Sequence, residues 1–200
     1  MKTQSLLTKL GALVAVALFA ACATPEITRT RTVVEPAPPV YAVGEIGPAG
    51  GFIVYDKGAV SDGWRFVEAA PDGWAGSSED PVAVWGGTGT VVGAEQVDAG
   101  SGLENTFAIL DAFGEAEYAA RLAADAVING FDDWFLPSRD TVIAMYENMY
   151  RAGIGGLGAD SYWTSSERTV ERAMAFRMST GGMISAGKVH EYHVRPVRRF

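Results

Sequence analysis

Apart from Cys22, the chain contains no cysteine. That excludes an internal disulfide and any cysteine-based metal site in the folded part. Histidine is nearly as scarce, with two residues, His190 and His193. They stand three apart in a strand-like stretch, so they point to opposite faces and do not hold one metal together. Positive charge is also short: 16 Lys and Arg face 24 Asp and Glu, a formal net charge of −8. An acidic surface disfavours nucleic acid and anionic lipid headgroups as main partners. No internal repeat is visible. The glycine-rich stretch Gly153 to Gly158 lacks the Lys-Ser/Thr of a phosphate loop, so it reads as a plain loop.

What is present starts at the amino end. Lys2 and Lys9 flank the approach to an apolar run, Leu10 to Ala21, followed directly by Cys22. The run falls short of the ~20 apolar residues that cross a bilayer. It matches the ~7–15-residue apolar region of a secretion signal. Phe19-Ala20-Ala21-Cys22 reads as a lipoprotein-type cleavage site, with Phe19 where Leu is usual. The expected product carries lipid on Cys22. More than one acyl chain makes such an anchor stable, at ~0.8 kcal/mol per buried CH2. The competing reading is an ordinary cut after Ala23, which removes the cysteine. Losing Lys2 and Lys9 with the signal lowers the basic count to 14 and leaves all 24 acids in place.

The expected organisation is a signal over 1–21, a lipidated cysteine and tether over 22–42, and one domain over 43–200. Pro25, Pro36, Pro38 and Pro39 make the tether a semi-extended, polyproline-like spacer. The remaining chain is long enough for one domain with a sizeable core. Five Trp, eight of the nine Phe and seven Tyr supply it.

Strands are expected over Phe52–Asp56 and Trp64–Ala69 as a hairpin. Trp64, Phe66 and Glu68 share one face, Arg65 and Val67 the other. Pro71 to Gly102 reads as a long ordered loop. Three helices follow. Asn105 caps the first, which stops at Gly114. The second runs from Glu115 to Ile128, with Glu117 and Arg121 paired at i,i+4 and Asn129-Gly130 ending it. Ser138 caps the third, whose buried face is Val142, Ile143, Tyr146, Met149 and Tyr150; Gly153 stops it. Four strands close the chain: Tyr162–Ser166, Ala173–Ser179, Met183–Val189 and Tyr192–Arg199, with a turn at Thr180-Gly181-Gly182. Helices in the middle and antiparallel strands at both ends predict an α+β fold.

Several motifs carry a resemblance in their order and spacing. They are Gly47-Pro48-Ala49-Gly50-Gly51-Phe52-Ile53-Val54-Tyr55-Asp56, Phe66-Val67-Glu68-Ala69-Ala70-Pro71, Asn105-Thr106 and Tyr118-Ala119-Ala120. Gly130-Phe131-Asp132-Asp133-Trp134-Phe135-Leu136-Pro137-Ser138, Tyr162-Trp163-Thr164-Ser165-Ser166-Glu167 and Val194-Arg195-Pro196-Val197-Arg198 complete the set. Together they resemble a bacterial family that includes the C-terminal domain of Lcl-type collagen-like adhesins. The resemblance covers Gly44 to Phe200. It implies a C-type lectin-like fold: helices flanking a twisted antiparallel sheet, with the chain ends paired as strands. Thr141 departs from the Glu usual in the family, which weakens a capping-box contact.

Candidate chemistry is sparse. Asp132 and Asp133 offer hard oxygen ligands for calcium. The chain lacks the Glu-Pro-Asn, Gln-Pro-Asp and Trp-Asn-Asp triplets of calcium-dependent sugar binders, so turn and cap hydrogen bonds are the favoured role. Trp134 and Trp163 sit in framework motifs and are read as core. Glu68, if buried, needs a cation, and Arg195 or Arg198 on the closing strand is the expected partner. The candidate ligand surface is the loop Trp74 to Gly102, with the loop Gly153–Asp160 beside it. Trp74 and Trp85 supply flat apolar area there, and Glu79, Asp80 and Asp98 supply acceptors.

The expected protein is a non-catalytic, lipid-anchored lipoprotein of the bacterial envelope, at the outer membrane or cell surface. It presents a lectin-like module to a glycan or to an envelope or host protein, with no cofactor and no nucleic-acid partner. A purely structural envelope protein is the rival reading. An enzyme is the third, since formylglycine-generating enzymes share a distantly related fold. Those use a cysteine pair, which this domain lacks.

Overall fold

A computed structural model describes residues 39–200, and one compact unit spans Pro39–Phe200. The signal, Phe19, Cys22 and the tether as far as Pro38 lie outside the described residues. The folded unit begins before Val43, because the Tyr41 ring packs edge-on against Phe66 and Phe200, each at 5.6 Å.

The fold is α+β with two sheets. In chain order the elements are β1 (Phe52–Ser61), β2 (Trp64–Ala69), β3 (Val82–Val84), α1 (Gly102–Phe113), α2 (Ala119–Ala124) and α3 (Arg139–Met145). There follow a π-helical turn (Tyr146–Tyr150), β4 (Ser161–Thr169), β5 (Arg172–Arg177), β6 (Gly182–Gly187), β7 (Glu191–His193) and β8 (Val197–Arg199). The small sheet runs β1-β2-β8 and the large one β3-β7-β4-β5-β6. β8 lies antiparallel to β2, so the chain's last strand closes on its first hairpin. In the large sheet β7 meets β4 in parallel, with Tyr162 opposite His193. Asp62 and Gly63 turn the first hairpin with φ of 52° and 81°, the doubly positive geometry that Asp-Gly favours.

Strand alternation covers both faces of the large sheet. Trp163 enters one cluster with Trp85, Ile109, Tyr118 and the alanines of α2. Its neighbour Tyr162 enters the other, with Phe176, Val142, Met145, Met149 and the inner residues of the small sheet. Successive side chains of a strand point to opposite faces, so β4 is buried throughout Ser161–Glu167. Two of its hydroxyls are engaged inside the domain: Thr164 Oγ1 donates to the Met174 carbonyl at 2.9 Å and Ser166 Oγ to Gln96 O at 2.7 Å.

Several expectations are corrected. Val67 is as deeply buried as Glu68, because the small sheet is also packed on two sides. Asn105 does not cap α1, which starts at Gly102. Its side chain is buried inside the helix, bonded to both main-chain groups of Gln96 and to Ser165 Oγ. α2 is a single short stretch, and Arg121 pairs with Glu115 and Asp125 rather than Glu117. Ser138 stands at the N-cap of α3 without capping through its side chain. Its hydroxyl bonds Asp98 O at 2.6 Å and Thr141 Oγ1 at 2.9 Å. Thr141 in turn accepts from Gly100 N at 3.0 Å, which ties α3 to the preceding loop. The expected last strand is two strands, β7 and β8, in different sheets.

Glu68 is shut off from solvent. Its carboxylate accepts from Ala49 N at 3.0 Å and Gly51 N at 2.9 Å and pairs with Arg198 at 3.3 Å. A Cβ at Gly47 would stand 2.5 Å from that carboxyl carbon, so only glycine leaves it room.

Candidate functional site

The charged groups of the interior are committed to one another. Asp80 accepts from Arg195 Nε at 2.6 Å and Trp74 Nε1 at 2.8 Å through one oxygen, and from the Tyr162 hydroxyl at 2.8 Å through the other. Burial, reinforced by that carboxylate, pushes the Tyr162 phenol far above its ordinary range. Arg195 also donates to the carbonyls of Ala70 at 3.0 Å and Gly155 at 2.7 Å. Its partner is thus Asp80, and Arg198 is the one that reaches Glu68. Arg198 also grips Asp133 with two bonds, at 2.7 and 2.9 Å. Lys188 and Glu167 form a third buried pair, at 2.5 Å.

This accounting corrects the expected ligand surface. Trp85 is 0% exposed, and its Nε1 donates to the Thr164 carbonyl at 2.8 Å. Asp80 is buried in the network just described, and Trp74 is half-buried on it. Glu79 and Asp98 are exposed. Asp98 uses its main-chain carbonyl to hold Ser101 and Ser138. The loop from Trp74 is a cover pinned by its tryptophans, and it contains the strand β3. Asp132 and Asp133 line a separate trough with Trp64, Phe107, Trp134 and Arg199. Arg198 occupies the Asp133 carboxylate. Among the described residues, no group of three or more His, Cys, Asp or Glu is placed to hold a metal.

The structure assembles a different place. At one end of the large sheet, a recess of about 330 Å³ is lined by Asp160, Ser161, Arg177, Ser179, Tyr192 and His193, with Val82, Ala159 and Glu191 completing its wall. The register explains the convergence. Ser161 faces Arg177 across β4 and β5, and His193 sits between Val82 and Tyr162. Beyond the strand ends, Met178 N bonds Asp160 O at 3.0 Å and Ser179 N bonds Ala159 O at 2.8 Å. These bonds hold the loop Gly153–Asp160 against β5, so that its last two residues form one lip of the recess.

Several of the polar groups there are not paired within the domain. His193 Nδ1 lies 2.7 Å from the Asp80 carbonyl. A carbonyl only accepts, so Nδ1 carries the hydrogen and the neutral ring keeps Nε2 as an acceptor. Asp160 lies 3.7 Å from Nε2, its side chain 80% exposed. Tyr192 rests on the buried Trp163, centroids 4.7 Å apart. Ser161 is 7% exposed and lines the recess; its hydroxyl makes no hydrogen bond among the described residues and stays open to solvent. Neither Arg177 nor Glu191 forms an ion pair among the described residues. His193 and Tyr162 share a sheet face, with rings 5.3 Å apart. Ser161, next to Tyr162, therefore points to the other face, and it does not meet His193 as a nucleophile meets its base.

Sequence reasoning passed over this site. His193 reads as a solvated or capping residue, Arg177 and Tyr192 read as ordinary strand positions, and Ser161 lies just outside the expected strand. The one usable signal was the loop Gly153–Asp160. No protein-family model matches the chain, and no curated protein matches it.

Proposed function

We propose that the domain is a non-catalytic binding module of lectin-like type that takes a saccharide at the end of its large sheet. On this reading the chain is carried to the bacterial envelope by its leader and held there through lipid on Cys22. The observation that carries the proposal is the recess itself, which brings donors and acceptors that are not paired with one another side by side at the end of the large sheet. Arg177 donates, Asp160, Glu191 and His193 Nε2 accept, and Tyr192 offers a ring supported from behind. Sugar hydroxyls need paired donors and acceptors, and sugar C–H faces need an aromatic surface. The paired termini and the helix-flanked sheet support the C-type lectin-like assignment as well. Among solved lectin-like modules such a fold alone does not decide the ligand.

The test is a glycan array probed with the detergent-solubilised full chain, followed by calorimetric titration of each hit. Wild type should bind at least one saccharide, and Arg177→Ala should weaken that binding tenfold or more. An array without hits, or hits indifferent to Arg177→Ala and Ser161→Ala, would overturn the proposal and favour a purely structural envelope protein.

A further inference from the structure

Resting on the saccharide reading of this recess, we infer that its ligand carries a free ammonium group: an amino sugar, in preference to the N-acetylated or neutral form. The recess holds one fixed cation, Arg177, against two carboxylates, Asp160 and Glu191. At several other places in the domain, opposite charges close on one another. Asp80 takes Arg195, Glu68 and Asp133 take Arg198, Glu167 takes Lys188, and Glu104 takes Arg199 at 2.7 Å. In the recess they do not. Glu191 and Arg177 form no ion pair among the described residues, and Asp160 has only the imidazole of His193, at 3.7 Å.

Acceptors are also in excess. Besides the two carboxylates there is His193 Nε2, kept bare in the neutral ring because the Asp80 carbonyl holds the hydrogen on Nδ1. Ser161 Oγ adds lone pairs from a position that is nine-tenths buried. An ammonium brings three donors and no acceptor, which suits that balance. A sugar hydroxyl brings one donor, and an N-acetyl group replaces the charge with a carbonyl acceptor. The Tyr192 ring lines the same recess, and the face of an aromatic ring attracts cations. The chain's net charge of −8 adds a long-range pull of the same sign. Arg177 remains for the ring oxygen and hydroxyls, where a donor is wanted.

The measurement is a calorimetric titration of the full chain in detergent with three probes of equal length: a glucosamine tetramer, an N-acetylglucosamine tetramer and a neutral glucose tetramer. The glucosamine tetramer should bind about five- to tenfold more tightly than the other two at low salt, the scale of two solvent-facing ion pairs. Raising the salt to about 0.5 M should shrink the preference, since exposed charges are then screened within a few ångströms. The double variant Asp160→Asn, Glu191→Gln should bind all three probes alike, while keeping wild-type thermal stability. Equal or tighter binding of the acetylated or neutral probe by wild type would overturn the ammonium inference and leave the saccharide reading standing. Failure of all three probes, together with an empty array, would overturn both.

Discussion

Lys188 Nζ lies 2.5 Å from Glu167 Oε1, with both side chains closed to solvent. The same carboxylate accepts the main-chain amides of Val92 and Gly93, at 2.9–3.0 Å, and Lys188 donates to Thr90 O at 3.1 Å. One ion pair therefore stitches β4, the chain after β6 and the stretch Thr90–Gly93 together. Lys188→Ala should cost ~3–5 kcal/mol, because it leaves a buried carboxylate uncompensated. The double variant Lys188→Met, Glu167→Leu should recover part of that loss. It cannot recover all, since the amides of Val92 and Gly93 lose their acceptor at ~1–3 kcal/mol each. Urea unfolding of the two single variants and the double measures the coupling. Strict additivity would show that the pair does not act as a unit.

Glu167 and Glu68 should bend the pH profile in opposite senses. For Glu167, burial pushes the carboxyl up, but Lys188 and the two amides outweigh it and hold it below the usual value of 4.5. The unfolded chain then binds more protons in that window, so stability is lost as pH falls below about 4.5. Burial dominates at Glu68 and raises it above 4.5, against the opposing pull of the Gly51 and Ala49 amides and Arg198. Its contribution is full below the unfolded value and lost as pH rises through the folded one. Melting temperatures across roughly pH 3 to 7 should show a shallower acid limb in Glu167→Gln. They should show less loss above 4.5 in Glu68→Gln. Identical profiles for the two variants would contradict these assignments.

Trp85 is a core residue, and its removal should be felt as such. Trp85→Ala should cost ~3–5 kcal/mol, with the Thr164 carbonyl losing its donor and Phe113 losing an edge-on partner at 6.5 Å. Trp85→Phe should cost less. A melting temperature unchanged by Trp85→Ala would return this side chain to the surface.

Trp163 and Trp134 were legible as core, because alternation and the apolar motifs around them are local signals, whereas the pairing of the chain ends was expected only from the family resemblance. β3 was not. Val82-Ala83-Val84 spans three residues after a proline, too few for a period to show. It becomes a strand by pairing with β7, more than a hundred residues later. α2 was read too long for a related reason. The alanines carry helical spacing as far as Ala126, but Tyr118 is extended (φ −159°, ψ 170°), and Arg121 folds back on the Gly114 carbonyl at 2.9 Å. The recess was hidden because its lining comes from β3, β4, β5, β7 and one loop, none of which carries a motif. The Trp74–Gly102 loop misled because glycine and exposed-looking aromatics mark a binding loop and a pinned cover equally well.

Binding and folding should separate cleanly around Arg177 and Arg195, eighteen positions apart and opposite in role. Arg177 is exposed and forms no ion pair among the described residues, and Ser161 has a hydroxyl that bonds nothing there. Surface changes that break no contact stay within about ±0.5 kcal/mol, so Arg177→Ala and Ser161→Ala should leave the melting temperature where it is. Arg195 is 1% exposed and carries bonds to Asp80, Ala70 and Gly155. Arg195→Ala strands a buried carboxylate and frees the loop that supplies Asp160, so it should cost ~3–5 kcal/mol. It should also weaken ligand binding as a consequence of that loss. Differential scanning calorimetry of the three variants decides the matter. A destabilisation by Arg177→Ala as large as that of Arg195→Ala would make Arg177 a structural residue and remove the recess from consideration as a binding site.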